Sequence, residues 1–101
     1  MLEGAARLDK DTIVGWAWNK NSPDDIVSVD IFENATLLAT VKADIPRKDL
    51  AEAGKGNGQH GFRFQVPAAL RDSRPHAIQA KFSGTTQKIG RAPISVTLNP
   101  Q

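Results

Sequence analysis

The sequence predicts an all-β protein, an antiparallel two-sheet β-sandwich of seven or eight short strands with one short helix near residues 47–53. Three observations support this fold class. Short runs in which apolar and polar residues alternate recur along the chain, and this is the pattern of half-buried strands. Turn-forming residues separate the runs roughly every eight to twelve positions. Only one segment has a helical pattern, so a sandwich is favoured over a βαβ arrangement.

The first half of the chain contains four predicted strands. The first two span residues 3–8 and 12–18, and the second of these is apolar on both faces, as in a strand that is covered on both sides. Residues 26–33 and 37–43 alternate around a short Asn-Ala turn. Two alternating runs joined by such a turn predict a β-hairpin. The residues of its second strand that we expect to face inward are Leu37, Ala39, Val41 and Ala43.

A short helix and a glycine-rich loop begin the second half. Residues 47–53 have a helical pattern, and Gly54 is a residue type that commonly follows a helix. Four glycines fall within residues 54–61, a density that indicates positive φ angles or close packing of the backbone. A strand over residues 61–66 follows. Its apolar face consists of Phe62, Phe64 and Val66.

The last part of the chain contains the remaining strands. A turn at residues 67–75 is expected to place Leu70 in the core, and residues 76–82 alternate as a strand. Beyond it, the pattern predicts a short edge strand, a break and a final strand. Their ranges are residues 87–89, 90–93 and 94–98.

Composition limits the classes of partner. The chain has 101 residues, enough for one domain with a single core, and we expect a module of a longer protein that is monomeric in isolation. It has 13 basic and 11 acidic residues and no run of three basic residues, so we expect no nucleic-acid partner. No apolar run is long enough to cross a membrane. The absence of cysteine excludes disulfides and thiolate zinc sites and leaves the cellular compartment open.

No pattern of catalytic or metal-binding residues is present, so we expect neither enzymatic activity nor a cofactor. His60 and His76 are the only histidines, and a metal site would need scattered carboxylates to join them. No serine lies in a nucleophile-elbow sequence. The glycine-rich loop lies between a helix and a strand, the reverse of a dinucleotide-binding fingerprint, and we expect a hydrogen bond from His60 to fix it. The residues with an expected structural role in this loop are Arg47, Asp49, Gly54, Gly56, His60 and Gly61.

Trp16 and Trp18 allow two interpretations. Flat aromatic faces bind the apolar faces of sugar rings, and the following loop offers amides and carboxylates for the sugar hydroxyls. This interpretation predicts a ligand site at Trp18, Asn19, Asn21 and Asp24. Alternatively, two tryptophans in a central strand are core residues, because each buries a large area. Since they share one face of the strand, we expect them to be buried or exposed together.

Several motifs follow one another in a fixed order, namely Gly15-Trp16-Ala17, Arg47-Lys48-Asp49, Gly54-Lys55-Gly56-Asn57-Gly58-Gln59-His60-Gly61-Phe62 and Pro67-Ala68-Ala69-Leu70. This order resembles a bacterial β-sandwich module that occurs beside glycosyltransferases, other carbohydrate-active enzymes and large surface proteins. The chain departs from the family pattern at two turns, residues 34–35 and 72–75, where the family has Asp-Gly. The resemblance covers residues 4–98 and implies a non-catalytic accessory role.

Two functional hypotheses follow from these observations. The first is a non-catalytic accessory module that binds polysaccharide or targets an attached protein to it. The second is a structural or protein-interaction spacer in a bacterial surface or glycan-processing protein. In the second case both tryptophans are core residues, and another domain of the parent protein contacts the exposed strand edges.

Overall fold

The computed structural model describes residues 2–100, without the side chains of Arg91 and Ala92. It confirms the predicted fold class, an antiparallel sandwich of two sheets with one short α-helix. The three-stranded sheet has the strand order β1-β2-β5, and the four-stranded sheet has the order β4-β3-β6-β7. The elements are β1 (Leu2–Asp9), β2 (Thr12–Asn19), β3 (Val27–Glu33), β4 (Thr36–Ala43), α1 (Lys48–Glu52), β5 (Gly61–Gln65), a 3-10 turn (Ala68–Leu70), β6 (His76–Phe82) and β7 (Lys88–Val96). A membrane crossing would need a longer and more apolar helix than any in this part of the chain.

The core lies between the two sheets and takes one face of each strand. On β2 the inward residues are Ile13, Gly15 and Ala17, and both Ile13 and Ala17 are fully buried. Alternation therefore places both tryptophans on the outer face of the three-stranded sheet. Leu70, from the 3-10 turn, joins the core as predicted. Other large side chains that are fully enclosed in the core are Val29, Ile31, Ile78, Phe82 and Val96.

The predicted hairpin is present as β3 and β4. Glu33 pairs with Thr36 across a two-residue turn. Asn34 adopts φ 54° in that turn, a left-handed conformation that asparagine tolerates better than most residues. The hairpin is irregular in its register, which shifts between Ile31 and Phe32.

The register shift changes the orientation of two leucines in β4. Leu38 packs against the core, whereas Leu37 is 52% exposed. One extra residue in a strand moves the side chains on its two sides to opposite faces. The prediction that Leu37 faces inward is therefore wrong, although Ala43, beyond the bulge, is buried as expected.

One continuous strand, β7, occupies the region where the sequence predicted an edge strand, a break and a final strand. The register with β6 shifts between Ile78 and Ala80. Gly90 adopts φ 88° in β7, in the region that favours glycine. The Gln79 Nε2 donates to the carbonyl oxygens of Ala80 at 3.0 Å and Ile89 at 3.1 Å. Because this side chain satisfies the backbone at the bulge, pairing continues on both sides and the predicted break is wrong.

His76 links the start of β6 to two other segments. Its Nδ1 bonds the Glu33 carboxylate at the end of β3, and its Nε2 lies 2.9 Å from Asp72 Oδ1 in the preceding loop. A protonated imidazole donates from both nitrogens and so satisfies both carboxylates. The hydrogen bond to Asp72, followed by that to Glu33, raises the pKa of His76 above its ordinary value of 6.5. The contact with His76 also lowers the pKa of Asp72.

The raised pKa of His76 predicts a stability contribution that is lost at alkaline pH. A histidine whose pKa is higher in the folded state stabilises fully below its unfolded pKa, about 6.5, and ceases to stabilise above its folded pKa. We therefore expect the difference in free energy of unfolding between wild type and His76→Gln to narrow as pH rises through that interval. Urea denaturation from about pH 5.5 to pH 9 measures it, a range in which Asp72 stays ionised. A difference that is constant over this range would contradict the prediction.

Candidate functional site

The outer face of the three-stranded sheet is arranged in rows of cross-strand neighbours. Arg7, Val14 and Arg63 form one row, since Val14 pairs with both arginines. Trp16 lies in the next row, and Arg47 approaches it from the segment before α1. Two adjoining depressions of about 170 and 370 Å³ follow these rows. We call them together the outer-face groove, whose principal residues are Arg7, Val14, Gly15, Trp16, Arg47 and Arg63.

Trp18 is enclosed beside the groove. Its ring is only 6% exposed and lies 5.9 Å from the ring of His60. Its Nε1 donates to Glu3 Oε1 at 2.9 Å, and the same oxygen accepts from Lys55 Nζ at 2.7 Å. These two hydrogen bonds, first from Lys55 and then from Trp18, lower the pKa of Glu3 to about 2. The indole of Trp18 is therefore held by protein groups and offers no open face to a ligand.

Trp16 shares the face of Trp18 but is only half-buried. Lys55 Nζ lies 4.9 Å from the Trp16 ring centroid and 5.6 Å from that of Trp18, within range of a cation–π contact. Trp16 also lines the outer-face groove. The expectation of equal burial is therefore wrong, because the loop after α1 covers the Trp18 end of β2 more completely than the Trp16 position.

Of the other predicted ligand residues, Asn19 is the last residue of β2, and Asn21 and Asp24 lie in the loop that follows it. Asn19 Oδ1 accepts from the backbone N–H of Asn21 at 3.0 Å, while the side chains of Asn21 and Asp24 are exposed. Consecutive strand residues point to opposite faces, so Asn19 leaves β2 on the side opposite Trp18. The structure thus brings Asn19 and Asn21 together and separates the Trp18 indole from them.

Arg47 anchors the start of the helix to the three-stranded sheet. Its Nε and Nη2 donate to Asp49 at 3.1 and 2.7 Å, and its Nη1 lies 3.4 Å from the Gly15 carbonyl oxygen. The hydrogen bonds from Arg47 lower the pKa of Asp49. The aliphatic part of Arg47 crosses Gly61, where an added Cβ would lie 2.8 Å from Arg47 Cδ. Glycine at position 61 therefore lets the Arg47 side chain lie flat on the sheet beside the groove.

His60 joins the glycine-rich loop to the loop after β2. Its ring is fully buried, and its Nε2 lies 2.7 Å from the carbonyl oxygen of Pro23. Because a carbonyl only accepts, this nitrogen carries the proton. Gly56 has φ 59°, and a Cβ there would lie 2.1 Å from the same carbonyl oxygen. Gly54, with φ 77°, has open space around it instead.

Arg7 and Arg63 are groove residues that the sequence analysis did not select. Both are exposed, and within residues 2–100 neither guanidinium has a hydrogen-bond or ion-pair partner among the described side chains. Among the residues that the structure describes, Asp9 is the one carboxylate that lines the groove. The alternation of β1 and β5 indicates the outward direction of both arginines, but only the register shows that they flank the same valine.

The described residues contain no cluster of three or more His, Asp or Glu side chains that could hold a metal ion. The outer-face groove instead combines an aromatic ring, an apolar floor and guanidinium donors, which suits non-covalent binding. Comparison of the chain with protein families, with curated proteins and with solved structures finds no match.

Proposed function

We propose that this domain is a non-catalytic accessory module that binds polysaccharide through the outer-face groove. The observation that carries the proposal is the position of Trp16, whose half-buried ring lines an open groove between Arg7 and Arg47. The apolar face of a sugar ring can pack on indole, and guanidinium N–H groups can donate to its hydroxyls and ring oxygens.

The shape of the groove also suits a polymer. It crosses all three strands of one sheet, from Arg7 on β1 to Arg63 on β5, and is open to solvent. An open groove across a sheet accommodates an internal segment of a chain, whereas a closed pocket would accept only an end or a small molecule. The ligand set predicted from sequence changes accordingly. Trp16 takes the place of Trp18, and Asn19, Asn21 and Asp24 do not line the groove.

The test is affinity gel electrophoresis of wild type and Trp16→Ala against a panel of neutral and acidic polysaccharides. We expect at least one polysaccharide to retard the wild type and Trp16→Ala to bind about tenfold more weakly or worse, as for a central aromatic contact. Phe32→Ala is the matched control, because Phe32 is a half-buried aromatic residue on the four-stranded sheet. If no polysaccharide retards the wild type, the proposal fails.

The spacer hypothesis is supported by a different surface. β4 is an edge strand of the four-stranded sheet, and Leu37 on it is 52% exposed. Edge strands with exposed apolar residues are sites at which another chain can pair. If no polysaccharide binds, and if Leu37→Lys weakens a contact between β4 and another domain of the parent protein, this second function is favoured.

A further inference from the structure

Arg7 and Arg63 bracket a short apolar gap. Both pair directly with Val14, one from each side, so all three side chains leave the same face of the sheet. Adjacent strands are about 4.8 Å apart, which puts the two arginine backbones roughly 10 Å from each other. Two arginine side chains can approach a single anion placed above Val14 from opposite sides. Neither has a partner within the described residues, so each is free to contact a ligand.

The charges around the groove favour a ligand with a low density of negative charge. Arg47 is already held in a two-bond pair by Asp49, and Asp9 lines the groove near Arg7. These two carboxylates offset two of the three positive charges. The remaining excess of positive charge suits one negative group at the row of Arg7, Val14 and Arg63. It is much smaller than the positive charge of a surface that binds a nucleic-acid backbone.

We propose that the groove binds a carboxylated polysaccharide, with one uronate carboxylate between Arg7 and Arg63 and a neighbouring sugar ring against Trp16. Guanidinium donors match a carboxylate in a two-bond geometry. Val14 and Trp16 are two residues apart on β2, a distance of about 7 Å, so the carboxylate and the stacked ring belong to adjacent parts of one chain. This inference rests on the proposed function and names the class of polysaccharide.

The experiment compares polygalacturonate with the same polymer after chemical reduction of its carboxyl groups. Binding is measured by affinity electrophoresis and by calorimetry at low and moderate salt, with dextran sulfate and a single-stranded oligonucleotide as further arms. The variants are Arg7→Gln, Arg63→Gln and the double variant. Arg74→Gln is the matched control, because Arg74 is an exposed arginine outside the groove. Circular dichroism and unfolding midpoints establish that each variant is folded.

We expect polygalacturonate to bind at least tenfold more tightly than its reduced form. Each single arginine variant should weaken that binding about tenfold, consistent with the loss of one charge-assisted contact, whereas Arg74→Gln should leave it unchanged. Equal binding of the two polymers that still depends on Trp16 would overturn this inference and leave the proposed function intact. Binding to no polysaccharide would overturn both. Tighter binding of dextran sulfate or the oligonucleotide would overturn the carboxylate assignment.

Discussion

Replacement of Trp18 by alanine is expected to destabilise the domain by about 3–5 kcal/mol, the usual cost of truncating a buried tryptophan. The ring is 6% exposed, and its Nε1 donates to Glu3. The variant would leave a cavity beside His60 and remove one of the two hydrogen bonds that hold the Glu3 carboxylate. Such a loss is a large part of the free energy of unfolding of a typical domain, about 5–15 kcal/mol.

The measurement is urea unfolding followed by far-ultraviolet circular dichroism, because fluorescence would change with the tryptophan content itself. Trp18→Phe keeps an aromatic ring at this position but loses the N–H donor and part of the ring volume, so it should cost about 1–2 kcal/mol, less than Trp18→Ala. Trp16→Ala should cost less than Trp18→Ala, since Trp16 is only half-buried. Equal losses for Trp16→Ala and Trp18→Ala would contradict the different roles assigned to them.

The tryptophans also show what local sequence pattern can predict here. Alternation identified the strand that carries them and correctly placed both on one face. It could not decide which face was inward, because Ile13 and Ala17 are as apolar as Val14 and Trp16. The different burial of the two rings depends on Lys55 and His60, more than thirty residues away in the sequence. Such contacts depend on tertiary packing, which cannot be predicted from the alternation of residues within one strand.

Register explains the remaining differences between the sequence analysis and the structure. The bulge at Ile31 and Phe32 exchanges the orientations of Leu37 and Leu38, and alternation alone assumes an unbroken register. Gly90 lies in the break that the sequence pattern predicts, although a glycine within a strand can also indicate a bulge. The groove depends on register in the same way. Arg7 and Arg63 are unremarkable outward residues until the pairing with Val14 brings them together.

Gly15→Ala is expected to destabilise the domain by about 3 kcal/mol or more, at or above the upper end of the usual range for overpacking. A Cβ at this position would lie 2.2 Å from the carbonyl oxygen of Ala5 and 2.7 Å from the Phe62 ring. The aromatic ring could move, but the carbonyl belongs to β1, which pairs with β2 along its whole length. Relief would therefore require the backbone of the three-stranded sheet to shift.

The matched control for this prediction is Gly54→Ala. Gly54 has φ 77° with nothing within 4 Å of an added Cβ, so the substitution should cost only the roughly 1–2 kcal/mol of a left-handed non-glycine residue. Phe62→Leu in the Gly15→Ala background should restore little stability, since the contact with the Ala5 carbonyl remains. Urea denaturation measures the free energy of unfolding of Gly15→Ala, Gly54→Ala and the double variant.

If Gly15→Ala is no more destabilising than Gly54→Ala, β1 can move away from β2 freely. Packing would then not require glycine at position 15. The requirement would have to come from the groove, where the Gly15 carbonyl oxygen contacts Arg47.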